Sequence, residues 1–464
     1  MKIIFSLFIL FFSPSIALCQ LNDAKSFTDA INLAKKKDKP LLLIISLSPK
    51  YATYVEANAG LQDKEVKDKL RDNFIVFSTT RTDTSVWQAV SSYKINSFPT
   101  FVFMHANKDV FHKDFGLSIS KHKYLSMLAT ATTLSKEKPI SILEKEYLAD
   151  KSDNYNLKKL IDLRLKNGIT NNAELIEQFA SNLKIGDFND YQTVLFILQA
   201  GPFADGTAYR LAYTNKKITD SIYKTEPLQK RIDMNNAIIQ NTLSNAIKTK
   251  NIRQAQSAAN MTRSTNGNNY RVGYKNAENN MLFYFKSVKD TGNYIQNAIR
   301  YYDAYYMNIS ADSIKNIEVK QRQLAIEKSK PSLPAGANTV SKNTLDSLLK
   351  ANPNSVRTET RVVSTIANMS NSYANELNSG AWSIYETGTK NINHLLKAVT
   401  WSTRSIELQS ISSYHDTLAH LFYRLGYFEQ AVKAQATAID LAKIEGRPYE
   451  SLQQELKKIK NKEL

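Results

Sequence analysis

Cysteine is almost absent: the 464-residue chain has one, Cys19. A single thiol excludes a disulfide within the chain, a four-cysteine zinc site and a CxxC redox pair. Glycine and proline are sparse, at 14 and 11 residues, which excludes collagen-like and low-complexity sequence. The chain has no HExxH, no GxxxxGK[ST] phosphate loop and no GxSxG nucleophile elbow. Beyond the N-terminal segment, nothing approaches the apolar run of about 18 residues that a membrane span needs. What is present is a 42% hydrophobic share, enough for sizeable cores, and 61 Lys and Arg against 43 Asp and Glu, a formal charge of +18. That excess permits acidic polysaccharide, lipid headgroups or acidic proteins as partners. The lysines are spread along most of the helical pattern and no RNA- or DNA-binding motif accompanies them, so nucleic acid is not expected.

The N-terminal segment MKIIFSLFILFFSPSIALCQ combines Lys2, an apolar run from Ile3 to Phe12, a break at Pro14 and a small-residue end. This is the pattern of a secretory signal peptide over residues 1–19. Ala17 and Cys19 fit the two small positions of a peptidase site, with Gln20 as the first mature residue and no cysteine in residues 20–464. Two alternatives compete. Lipidation of Cys19 is disfavoured by Leu18, where a lipoprotein signal has Gly, Ala or Ser, and the run is short for a transmembrane anchor. The expected location is the periplasm, with no transmembrane segment in the mature chain.

From residue 20 to 135 the hydrophobic pattern alternates between α and β. Ser26-Phe27-Thr28-Asp29 is a capping box opening a helix closed by Pro40. Leu41 to Ile45 is wholly apolar and short, the pattern of a strand buried on both faces. A helix is expected over Val55 to Arg71, a strand at Phe74–Phe77, a helix over Thr84 to Tyr93, strands at Phe101–Met104 and Val110–Phe115, and a closing helix from about Ser120 to Thr133.

This order, with KPLLLIISLS (Lys39–Ser48), LQDKEVKDKLRDNFIVF (Leu61–Phe77) and YKINSFPTFVFMHANKDVFHKDFG (Tyr93–Gly116), resembles the thioredoxin fold over about residues 22–135. The resemblance puts Pro99 at the family's cis-proline, with Phe98 before it and Thr100 after it, and its CxxC motif on Lys50-Tyr51-Ala52-Thr53. Thioredoxin chemistry needs a low-pKa thiolate at a helix N-terminus and a second thiol to resolve the mixed disulfide. Neither Lys50 nor Thr53 supplies one, so dithiol–disulfide exchange is excluded. What the resemblance leaves is peptide binding by strand addition at a groove lined by Lys50, Tyr51, Thr53, Phe98, Pro99 and Thr100. Tyr54 and Trp87 are further aromatic candidates for its walls, against a plain packing role for Trp87.

Past Pro139 the pattern is helical. Amphipathic segments separated by turns such as Lys166-Asn167-Gly168 and Gly201-Pro202 imply a helical region over 136–328, then a linker at 329–340 holding Pro331, Pro334 and Gly336. In the last domain, 341–464, the run from Asp416 to Ala442 resembles a tetratricopeptide repeat. Ala419, Ala431 and Ala438 are its close-approach residues and Gly426 its turn. A weaker copy lies at Ala398-Val399 and Ser405–Leu408, with its first helix around Asn378–Tyr385, and a terminal helix over Arg447–Lys460 caps the stack. The fold class expected is an α/β thioredoxin-like domain followed by an all-α helical-repeat region. Taken together, the chain resembles a group of Bacteroidota envelope proteins.

The six histidines are His105, His112, His122, His394, His415 and His420, and the five-residue step from His415 to His420 does not stack two imidazoles on one helix face. No metal or cofactor is expected. Tyr294, Tyr301, Tyr302, Tyr305 and Tyr306, with Phe283, Tyr284 and Phe285, have helical spacing and read as helix packing in preference to an aromatic binding wall. The expected function is a non-catalytic envelope adaptor with a protein partner. A thioredoxin-family oxidoreductase by fold and a periplasmic holdase are the alternatives.

Overall fold

The computed structural model describes residues 23–90, 95, 97–310 and 372–464, with scattered positions between 312 and 324. The signal peptide expected at 1–19 and the linker expected at 329–340 lie outside the described residues. The chain divides into two compact units, Met1–Gly267 and Asn268–Leu464. No described helix is long and apolar enough to cross a membrane.

The first unit opens with helix α1 (Phe27–Lys37), whose N-cap Ser26 accepts a hydrogen bond from the Asp29 amide at 3.1 Å. Strand β1 (Leu41–Ser46) follows and is buried at every position. Three short helices, α2 (Pro49–Glu56), α3 (Ala59–Gln62) and α4 (Lys64–Asn73), lead to strand β2 (Ile75–Thr80). Helix α5 (Thr84–Val90), strands β3 (Thr100–Met104) and β4 (Val110–Phe115), and helix α6 (Lys121–Leu134) complete the α/β part.

The four strands form one mixed sheet in the order β2-β1-β3-β4. β1 and β2 are parallel with Leu41 opposite Ile75, whereas β1–β3 and β3–β4 are antiparallel, with a register shift between Phe103 and Met104. Side-chain alternation along β1 explains its unbroken apolar sequence. Leu41, Leu43 and Ile45 face a core with Phe27, Ile31, Phe77 and Val102, while Leu42 and Ile44 face a second core with Val66, Leu70, Phe101 and Tyr124.

The single helix expected over Val55–Arg71 is instead broken twice. Asn58 and Asp63 act as N-caps of α3 and α4, accepting from the Gly60 and Glu65 amides. Gly60 is pressed against the closing helix: a Cβ there would lie 2.4 Å from the Ser118 carbonyl oxygen and 2.6 Å from the Tyr124 ring.

Helices α7 (Ile140–Ala149), α8 (Asn154–Lys166), α9 (Ala173–Ser181), α10 (Tyr191–Ala200), α11 (Thr207–Ala212), α12 (Lys216–Thr225), α13 (Leu228–Thr249) and α14 (Ile252–Ser264) make up the rest of the unit. The boundary expected at 135/136 is not a gap in the packing. Leu143, Leu160 and Leu163 join the sheet's core, while Leu157 and Ile161 of the same helix α8 join a helical core with Phe179, Leu198 and Ile238.

The second unit is helical throughout its described residues. α15 (Tyr270–Ser287) and α16 (Thr291–Tyr302) are followed by a π-turn at Asp303–Met307. Then come α17 (Ser372–Glu386), α18 (Ile392–Leu408), α19 (Ser412–Arg424), α20 (Phe428–Ile444) and α21 (Glu450–Asn461), each packed against the next. Trp401, fully buried on α18, donates from Nε1 to Asp303 Oδ1 at 3.0 Å, and Lys397 pairs with the other oxygen of that carboxylate at 2.7 Å. Tyr294, Tyr301, Tyr302 and Tyr306 are all buried, so these rings pack the helices and do not form an exposed wall.

Candidate functional site

Three places combine polar chemistry with accessible geometry. The first surrounds the N-terminus of α2. Ser48 caps this helix, accepting from the Tyr51 amide at 3.3 Å, and Pro49 occupies its first turn, where a missing N–H costs nothing. Lys50 and Thr53 are exposed, and the Thr53 hydroxyl turns back to donate to the Pro49 carbonyl at 3.3 Å. Tyr51 is half-buried against the core below the sheet and stacks on Tyr54, whose ring is 63% exposed, with centroids 6.0 Å apart.

The Phe98–Pro99 bond is cis. Tyr51 reaches across to this turn, its hydroxyl donating to the Phe98 carbonyl at 3.5 Å, so Tyr51, Phe98 and Pro99 meet at one place. Phe98 packs on the core above the sheet and Pro99 is buried, its carbonyl accepting from the Gly116 amide at 2.9 Å. Thr100 does not share this surface: it is fully buried at the start of β3, and its hydroxyl donates to the Ser97 carbonyl. Trp87 leans on the core and donates from its indole to the Arg81 carbonyl, a packing role. The site thus presents an exposed lysine and an exposed tyrosine beside a backbone turn. It has no thiol for attack on sulfur, and its threonine hydroxyl is committed to backbone.

The second place is a cleft of about 520 Å³ in the first unit, lined by Glu144, Arg164, Asn171, Phe203, Asn241 and Lys248 among others. Its polar groups already serve the chain itself. Arg164 pairs with Glu144 at 2.6 Å and donates to Asn172 Oδ1 at 2.7 Å, and Asn241 donates to the carbonyls of Thr170 and Gly201.

The third lies in the second unit, where Asp416 and His420 of α19 meet Glu455 of α21, with donor atoms all within 4.8 Å of one another. His420 is buried, and its Nδ1 sits 2.9 Å from the Asp416 carbonyl oxygen, one helical turn back. Trp382 and Tyr385 hold the imidazole edge-on at 5.3 Å each. Gln435 of α20, fully buried, donates from Nε2 to Asp416 Oδ1 at 2.8 Å, while its Oε1 has no hydrogen-bond partner. Burial and the adjacent Asp416 push the Glu455 carboxyl above the usual carboxylate range.

The expectation of no metal site rests on the spacing of His415 and His420, which do not share a helix face. His415 indeed points elsewhere, to Ser410 Oγ at 2.9 Å. The readable signal was Asp416 and His420 four residues apart on one face; Glu455 arrives from another helix and leaves no local trace.

Ala419 and Ala431 are fully buried in a cluster with Ile459 of α21, Ala438 is fully buried on α20, and Gly426 turns the chain between α19 and α20 at φ +82°. No family model matches this chain, and no curated protein matches it either.

Proposed function

We propose that the chain is a non-catalytic binding or adaptor protein of the bacterial envelope, in which a redox-inactive thioredoxin-like domain is joined to tetratricopeptide-like helices that hold a protein partner. One observation carries the reading. Lys50, Tyr51 and Thr53 sit in the first turns of α2, Tyr51 reaching the Phe98 carbonyl, where a thioredoxin-type enzyme would need two thiols, and residues 20–464 contain none. The sheet order β2-β1-β3-β4 with helices on both faces supports the thioredoxin-like part. The small residues at the contacts of the last helices support the repeat part. Export rests on the pattern of residues 1–19 alone.

The test pairs two measurements on the protein. Crosslinking in the periplasm is expected to retrieve a reproducible envelope protein, and insulin reduction is expected to stay at the uncatalysed rate. Clear insulin turnover, or crosslinking that retrieves no specific partner, overturns the reading. General suppression of aggregation among unrelated unfolded proteins would move it to a holdase.

A further inference from the structure

We propose that Asp416, His420 and Glu455 form a binding site for a first-row divalent cation of the Zn²⁺ type, which fastens the terminal helix α21 to α19. This goes beyond the adaptor reading and does not depend on it.

The donor set is right for such an ion. Two carboxylates and one imidazole offer borderline oxygen and nitrogen ligands, and with a doubly charged ion and a neutral imidazole the group has no net charge. The imidazole is already oriented for ligation. Nδ1 lies 2.9 Å from the Asp416 carbonyl oxygen and 3.8 Å from Asp416 Oδ1, while Nε2 faces Glu455, 4.0 Å from its Oε2. Metal-bound histidines use this arrangement, one ring nitrogen hydrogen-bonded to fix the tautomer and the other on the metal. Trp382 and Tyr385 limit the ring's swing.

The spacing is that of a site waiting to close. Donor atoms within 4.8 Å of one another compare with about 3.4 Å across a filled tetrahedral zinc site. Glu455, the most exposed of the three side chains at 32%, has the freedom to supply the movement.

An independent feature points to the same place. Gln435 is completely buried, its amide nitrogen touches Asp416, and the oxygen of that amide lacks any partner. A buried carbonyl oxygen left unpaired is destabilising. The same amide nitrogen also lies 3.4 Å from the Leu452 carbonyl oxygen, on the helix that carries Glu455. Asp416 and Glu455 set two carboxylates beside one buried imidazole.

The experiment uses the full chain, stripped with a chelator and titrated with Zn²⁺ alone by calorimetry, with Co²⁺ as an absorbing replacement. One Zn²⁺ per chain is expected, together with visible Co²⁺ bands of low-symmetry coordination and a raised melting midpoint. Affinity should fall about 100-fold in both Glu455→Gln and His420→Gln. Should His420→Gln fail to fold by circular dichroism, Glu455→Gln, at the exposed rim, decides alone. Absence of Zn²⁺ binding to the unaltered chain, or binding that survives Glu455→Gln unchanged, overturns the proposal.

Discussion

Two glycines show how differently one residue type constrains this chain. Gly201 and Gly426 both lie in the left-handed region, at φ +72° and +82°, and each follows a helix. A Cβ at Gly201 would meet the Ala237 Cβ at 2.7 Å and the Asn241 amide at 2.8 Å, whereas at Gly426 it would meet nothing within 4 Å. Gly426→Ala therefore carries only the left-handed penalty, about 1 kcal/mol. Gly201→Ala adds a clash with the backbone and side chains of α13 and should cost about 3 kcal/mol. Denaturant melts of the two variants are expected to separate by about 2 kcal/mol; equal losses would show that α13 shifts freely to make room. The turn roles of both glycines were readable from sequence, Gly426 from the repeat pattern and Gly201 from the Gly-Pro pair. The close approach to α13 was not, because Ala237 and Asn241 are distant in the chain.

At the scale of elements, the β3–β4 hairpin carries a pH response. His105 lies in its turn and His112 within β4, against Phe111 and Phe103, and burial lowers both imidazoles below their ordinary value of 6.5 despite the opposing pull of Asp109 and Asp114. His105 Nε2 has no hydrogen-bond partner. Because the unfolded chain binds these protons more readily than the folded one, their contribution is complete above pH 6.5 and is lost as pH falls below it. Glu177, raised by burial, works in the opposite sense above pH 4.5, and the lowered Asp83 acts only in more acid solution. The melting midpoint should drop between pH 7.5 and pH 5.5, and the drop should shrink in the His105→Gln, His112→Gln double variant. An unchanged drop in that variant would remove the hairpin from the explanation. Elements were legible where one local rule decided them. β1 had to be buried on both faces, and Ser26 had to cap a helix. The break of the Val55–Arg71 segment was not legible, since its caps Asn58 and Asp63 compete with a continuous apolar spacing, and the Tyr124 contact that favours the break is made by another helix. The meeting of Tyr51 with the Phe98–Pro99 turn was legible, but the burial of Thr100 was not, because β3 is covered on both faces.

For the molecule as a whole, sequence spacing suggested an α/β domain ending near residue 135, whereas the first compact unit runs to Gly267. The reason is visible in α8. Leu160 and Leu163 complete the sheet's core, so a chain cut after residue 135 would leave the apolar surface around Leu41, Leu43 and Met104 without part of its cover. Expressed alone, residues 20–135 should aggregate or bind hydrophobic dyes, while residues 20–267 should stay monodisperse by light scattering. A well-folded, dye-negative 20–135 fragment would show the α8 contacts to be dispensable. The same helix has a thermodynamic consequence. With Leu157 and Ile161 in one core and Leu160 and Leu163 in the other, α8 is a wall common to both, and neither side can melt without stripping a face of it. The α/β part and the helices after it therefore form a single cooperative unit, in which a partner gripping one would slow the opening of the other with no change in structure between them.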